Sequence, residues 1–162
     1  MIKILVSACL VGEPVRYDGK VIEPSGEILE IWKQEGRIIS VCPEVLGGLP
    51  VPRISAEIVG GQGEDVLAGQ AKVVDKFGRD VTSFFLAGAQ KTLDLTLKNT
   101  IFLAVMTERS PSCGSTSIYN GQFDGTLIAG MGVTTCLLRQ HGITVFGHHQ
   151  FEQAHEYLTR QC

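Results

Sequence analysis

Four short apolar runs constrain this chain more than any other feature: IKILVSA at 2–8, RIISVC at 37–42, IFLAVM at 101–106 and ITVF at 143–146. Their length and their β-branched or aromatic content are those of strands covered on both faces. Stretches with helical spacing lie between them. Residues 25–36 begin at Ser25, a good N-cap, carry Ile28, Leu29 and Trp32 on one side, and stop at Gly36. Residues 81–99 follow Asp80 as cap and set Val81, Phe84, Phe85, Gly88 and Leu93 at helical intervals. Residues 132–141 carry Val133, Thr134, Leu137 and Leu138 and end at Gly142, and a last helix over 150–160 holds Phe151, Ala154 and Leu158. Strand alternating with helix predicts a layered α/β fold with a mainly parallel, Rossmann-like sheet.

Two stretches break the alternation. Residues 51–76, containing VGGQGEDVLAGQAKVVD, predict irregular chain plus one strand. Residues 117–127, SIYNGQFDGTL, predict a small hairpin insert with Asn120 and Gly121 at its turn. GGQGED at 60–65 follows no predicted strand and lacks a phosphate-loop pattern, so it is not read as a nucleotide site. The chain has no internal repeat, low-complexity tract or linker. A single domain over 1–162 is expected, long enough for a full core.

Composition narrows the function classes. Apolar residues make up 44% and charged residues 19%, which excludes a disordered chain. The formal charge is −3 and Lys and Arg form no run, so no nucleic-acid partner is expected. The apolar stretches are too short to span a bilayer. MIKILVSACLVG looks superficially like a signal peptide. It holds one Lys and runs into EPVRYDGK without a small-residue cleavage site, so a buried strand and a cytoplasmic protein are expected. In that compartment five cysteines point to reduced, metal-bound or catalytic thiols rather than disulfides.

The cysteines are placed suggestively. Cys9 follows the first apolar run, Cys42 ends the second, and Cys113 lies just past the third, in TERSPSCGST. Parallel strands bring their C-terminal ends to one edge, outside which ligands bind. Three thiols distant in sequence can therefore meet there. Inert core cysteines are the competing reading. All three, however, stand among Gly, Pro, Ser and acidic residues at strand exits, where rigid folds carry their reactive groups. Cys136 falls inside a predicted helix, as a small buried hydrophobe, and Cys162 is terminal. The absence of CxxC spacing argues against a zinc knuckle or a thioredoxin-type dithiol. Three thiolates without a fourth protein ligand suit either zinc with water in the fourth position or a 4Fe-4S cluster with one open iron. The residues alone leave both standing.

The set SACLVG…RYDG, CPEVLGGLPVPR, DVT, SPSCG and GMGVTT resembles the thiouracil desulfidases, a widespread prokaryotic family, over about residues 5–147. The resemblance implies a 4Fe-4S cluster held by three cysteines that match Cys9, Cys42 and Cys113. It also implies a non-redox desulfuration of a small thioamide, such as 2-thiouracil or a related thio-nucleobase. The thione sulfur binds the open iron, water replaces it at the ring carbon, and hydrogen sulfide leaves. Two other functions remain compatible with the residues: a zinc-dependent hydrolase using the same cysteines, and a non-catalytic cluster-bearing sulfur carrier or sensor.

Glu44 stands two residues beyond Cys42 and is the candidate base for the attacking water. A carboxylate against an apolar wall is pushed toward working pH. The alternative is that it caps the chain or pairs with Arg53. Ser110 and Ser112 flank Pro111. Either hydroxyl is available to bond substrate, relay a proton or donate to cluster sulfur, and either is equally able to satisfy the loop backbone; the resemblance leans to Ser110. Arg16, Tyr17 and Asp18 read as a substrate wall or as a turn ending at Gly19. Arg53 and Glu57 are expected to pair. GMGVTT at 130–135 opens a predicted helix whose amides could face an anion or a pyrimidine carbonyl, or forms a tight turn. His141, His148, His149 and His155 have no metal-ligand spacing, and His148-His149 is read as a surface feature.

Overall fold

A computed structural model describes residues 1–20 and 26–161. Ser25 and Cys162, read above as a cap and a terminal thiol, lie outside the described residues. The chain runs β1 (Ile4–Ser7), α1 (Glu27–Gln34), β2 (Ile38–Val41), α2 (Pro43–Leu46), β3 (Ala56–Val59), α3 (Gly63–Leu67), β4 (Lys72–Asp75), α4 (Thr82–Lys98), β5 (Leu103–Met106), β6 (Ser117–Tyr119), β7 (Leu127–Ala129), α5 (Val133–Gln140), β8 (Thr144–Gly147) and α6 (Phe151–Arg160). The central sheet has the order β2-β1-β5-β8 and every pairing in it is parallel. The layered α/β expectation therefore holds.

Helices cover the sheet on both faces. Successive strand residues point to opposite sides. Ile4, Val6, Leu103 and Val105 accordingly pack with Leu29 and Trp32 of α1 and Ala154 and Leu158 of α6. Leu5, Val41, Ala104 and Met106 pack instead with Leu93 of α4 and Leu138 of α5. The first apolar run outlasts its ladder because Ala8–Val11 tighten into a 3-10 turn that keeps Ala8, Cys9 and Leu10 buried. This change of backbone at the strand end turns Cys9 toward the sheet edge.

Three local expectations are corrected. Residues 51–76 contain two strands, not one: β3 and β4 pair antiparallel and enclose α3. The short Gly-rich segment between them hid the second strand. β6 and β7 do form the hairpin, but Tyr119 pairs with Leu127, so Asn120 and Gly121 open a loop over 120–126 rather than make a two-residue turn. Val81, not Asp80, occupies the cap position of α4; Asp80 Oδ1 instead accepts from the Thr82 N–H and hydroxyl.

The packing of α2 on α4 bears directly on the site. A β-carbon on Gly47 would collide with the Phe84 carbonyl, and one on Gly88 with the Pro43 carbonyl. These two glycines let the backbones touch, which fixes the short helix that begins immediately after Cys42.

Candidate active site

The C-terminal ends of β1, β2 and β5 carry Cys9, Cys42 and Cys113 to one cavity of about 610 Å³. Cys9 and Cys113 are buried and Cys42 is half-buried. Burial pushes all three thiols above the usual cysteine value. At Cys113 the charges of Cys42, Glu44 and Cys9 push further in the same direction, opposed weakly by the Ser112 hydroxyl. The thiols thus lie close enough for each to resist ionisation of the others, a penalty that a bound cation removes. Among the described residues no three His, Cys, Asp or Glu side chains close around a single metal ion. The thiols come from three separate segments around the cavity, and soft thiolates of this kind suit an iron–sulfur cluster, in which each takes a different iron.

Glu44 reaches the same cavity from the first turn of α2. Its Oε1 accepts from Arg53 Nε at 3.0 Å and its Oε2 from the Ser110 hydroxyl at 3.1 Å. The Glu44 and Arg53 side chains are only 15% and 6% exposed, so this pair is shielded from solvent. Arg53 Nη2 also donates to the Val15 carbonyl at 3.0 Å and lies 4.0 Å from Cys42 Sγ. The expected Arg53–Glu57 pair does not form. Arg53 pairs with Glu44, which was the alternative reading of that acid, and Glu57 accepts instead from the backbone of the hairpin loop. The neighbours of Glu44 are thus a guanidinium and a hydroxyl rather than an apolar wall.

The chain belongs to the 2-thiouracil desulfurase family. Residues 4–150 carry the match. The YbbK protein of Bacillus subtilis (strain 168) is 45% identical over 147 residues, which are 91% of this chain and 96% of that protein. A solved structure of TudS, a 4Fe-4S-dependent thiouracil desulfidase, is 47% identical and covers 98% of this chain and 99% of its own, with a TM-score of 0.89. The family suggested by the motifs is the family to which the chain belongs, and its fold is the one described above.

In this member of the desulfurase family, Ser110 and Ser112 do different things. Ser110 lines the cavity. Besides donating to Glu44, its Oγ accepts from the Ser112 and Cys113 N–H groups at 3.0 and 3.1 Å. It therefore ties the base candidate to the Cys113 backbone. Ser112 is 1% exposed, and its hydroxyl shares a 2.8 Å hydrogen bond with Thr134. The GMGVTT amides serve the same loop: Val133 N donates to the Pro111 carbonyl, Thr134 N to that of Ser112. So committed, they are not free for an anion or a substrate carbonyl.

Sequence reasoning missed Glu108. Its carboxylate accepts from both the N–H and the hydroxyl of Ser115 and of Thr116, at 2.7–3.1 Å, and so closes the loop that carries Cys113. Burial opposes its ionisation, but those four hydrogen bonds outweigh burial and hold its pKa at about 2. The signal was available in TERSPSCGST: an acid at one end and two hydroxyl residues at the other. His148 is exposed, as read, but its Nδ1 accepts from the Glu108 N–H at 3.0 Å, and partial burial lowers its pKa. Arg16 and Tyr17 line the cavity, whereas Asp18 holds the turn by accepting from the Lys20 N–H. Cys136 is buried within α5, as read.

Proposed function

We propose that this chain is an iron–sulfur-dependent desulfidase. It exchanges the thione sulfur of a small thioamide, such as 2-thiouracil or a related thio-nucleobase, for the oxygen of water. The observation that carries this is the meeting of Cys9, Cys42 and Cys113 with the Arg53–Glu44–Ser110 hydrogen-bonded row in one cavity, in a chain 47% identical to a 4Fe-4S-dependent thiouracil desulfidase. The three thiolates hold the 4Fe-4S cluster, and their softness suits iron–sulfur chemistry. When bound, the cluster supplies a Lewis-acidic iron that polarises the thiocarbonyl.

The rest is the work of side chains. A thioamide carbon is a weak electrophile, so water must give up a proton as it attacks. Glu44 accepts that proton. Arg53 fixes the carboxylate from one side and Ser110 from the other, which holds the accepting oxygen in one orientation. The Ser110 hydroxyl, bonded to Glu44 Oε2, gives the proton a path back to the departing sulfur. Both hydrogens of the water end on hydrogen sulfide, the carbonyl replaces the thiocarbonyl, and no electrons are transferred overall.

The chain acts in this reading as a single domain in the cytoplasm, on a small thio-compound and not on a nucleic acid. The four free thiols among the described residues, a net charge of −3 and the lack of any membrane-crossing helix among those residues support it. Protein purified without oxygen should be brown, carry about four irons and four sulfides, and release sulfide from 2-thiouracil. Colourless, zinc-only protein after reconstitution would favour the hydrolase alternative. A loaded cluster without sulfide release would favour the carrier or sensor.

A further inference from the structure

Part of the cavity wall belongs to neither the thiols nor the Glu44 row. It comes from β3 and the loop over 120–126. Ile58 points into the apolar cluster with Val73 and Phe85, so strand alternation turns Glu57 the other way. Glu57 is only 8% exposed yet lines the cavity. Its Oε1 accepts from the N–H groups of Gly121 at 2.9 Å and Phe123 at 3.2 Å. Among the described residues its Oε2 has no hydrogen-bond partner, and it is not sealed from the cavity. A largely buried carboxylate with one oxygen committed and the other open is an acceptor awaiting a donor.

Phe123 supplies a second, independent observation. Its backbone sits at φ 56, in the left-handed region where a non-glycine residue is strained by about 1 kcal/mol. The Glu57 hydrogen bond to its N–H holds it there. The side chain is half-buried, belongs to none of the three apolar clusters, and lines the cavity. An aromatic residue kept out of the core by strained backbone has a use at the cavity rather than in folding.

We infer that Glu57 and Phe123 determine which thioamide the cavity accepts. Glu57 Oε2 takes a hydrogen bond from a ring N–H, and the Phe123 ring packs on the face of a planar cyclic thioamide. This rests on the desulfidase reading for the class of substrate. It predicts that alkylating the ring nitrogen whose N–H would face Glu57 weakens binding.

The test compares loaded wild-type protein with E57Q and F123A, using 2-thiouracil and its 1-methyl and 3-methyl derivatives, with iron content checked for each. In E57Q the amide oxygen can still hold the loop, but the group facing the cavity becomes an N–H donor. KM for 2-thiouracil should rise about tenfold or more, the scale of a lost hydrogen bond to a charged acceptor, and more than kcat falls. Wild type should disfavour at least one methyl derivative about tenfold, and E57Q should lose that preference. F123A should raise KM by about three- to tenfold. If wild type releases no sulfide, the desulfidase reading fails, and the same comparison is made as the Kd of unreacted 2-thiouracil by equilibrium dialysis. Unchanged KM or Kd in both variants, or a methyl preference that survives in E57Q, overturns the inference, as does wild type that does not bind 2-thiouracil.

Discussion

The cavity has two sides of different origin. One is built at the exits of the parallel sheet and carries the thiols, Glu44 and Ser110. The other comes from antiparallel inserts and carries Glu57, Tyr119 and Phe123. On the sheet side the reactive groups are bound to one another: Ser110 joins Glu44 to the Cys113 backbone, and Arg53 joins Glu44 to the surroundings of Cys42. On the insert side Glu57 Oε1 is tied only to the backbone of a loop that otherwise closes on itself, as in the bond from the Asn120 N–H to the Thr126 carbonyl. Chemistry that needs fixed geometry sits on the rigid edge, and recognition sits on the segment that can vary without disturbing the sheet.

The largest expected effect comes from breaking the sheet side at its ligands. Cys9→Ala, Cys42→Ala and Cys113→Ala should each abolish stable cluster binding, because among the described residues no spare thiol faces the cavity. Cys136→Ala should leave iron content unchanged, since Cys136 is buried in α5 and does not line the cavity. Iron and sulfide analysis of anaerobically reconstituted protein decides it. Loss of iron in Cys136→Ala, with retention in any one of the other three, would reassign the ligands.

Glu44→Gln should come next. It keeps the shape and can keep contacts to Arg53 and Ser110 but removes the proton acceptor. The cluster should survive, and sulfide release should fall about a hundredfold or more. Near-normal release with an intact cluster would move the base to another group.

The same division explains what was legible in the sequence. Apolar runs gave the strands, because burial on both faces forces continuous β-branched and aliphatic segments. Strand exits gave the three thiols, because parallel direction alone gathers them. The insert side was opaque. Only one of the two strands β3 and β4 was expected there, and Glu57 was assigned to Arg53 because nothing in AEIV shows which loop backbone will lie beside it. The partner of a carboxylate is decided by tertiary approach, as with Arg53, which reached Glu44 instead. Ser110 and Ser112 were indistinguishable by spacing, since only the docking of α5 tells which hydroxyl is enclosed.

Glu108 gives an effect of middling size with a defined pH dependence. Its folded pKa is about 2, below the ordinary value of 4.5. Its stabilisation is therefore fully present above about pH 4.5 and is lost as pH falls toward 2, because the unfolded chain takes up the proton first. Allowing for solvent screening, the contribution is about 2 kcal/mol. Glu108→Gln should lower the unfolding free energy in urea by about that amount at pH 6, and the gap to wild type should narrow as pH falls below 4.5. In loaded protein the same variant should lose iron to a chelator faster, since the loop bearing Cys113 loses its closing acceptor. A gap that stays constant from pH 6 to 3 would show that the charge of Glu108 does not hold the loop.

The smallest effect separates two neighbouring serines and so tests where the sheet side ends. Ser110→Ala removes the donor to Glu44 Oε2 and the acceptor for two backbone N–H groups. It should lower turnover at least tenfold, given that each lost bond orients either the base or the Cys113 loop. Ser112→Ala removes a hydroxyl buried against Thr134. Stability should drop by about 1 kcal/mol, the scale of one hydrogen bond, and turnover should stay within about twofold. A fall in turnover per loaded site equal to that of Ser110→Ala would place Ser112 within the reacting row, and the boundary between reactive edge and structural loop would then run through Thr134 rather than between the two serines.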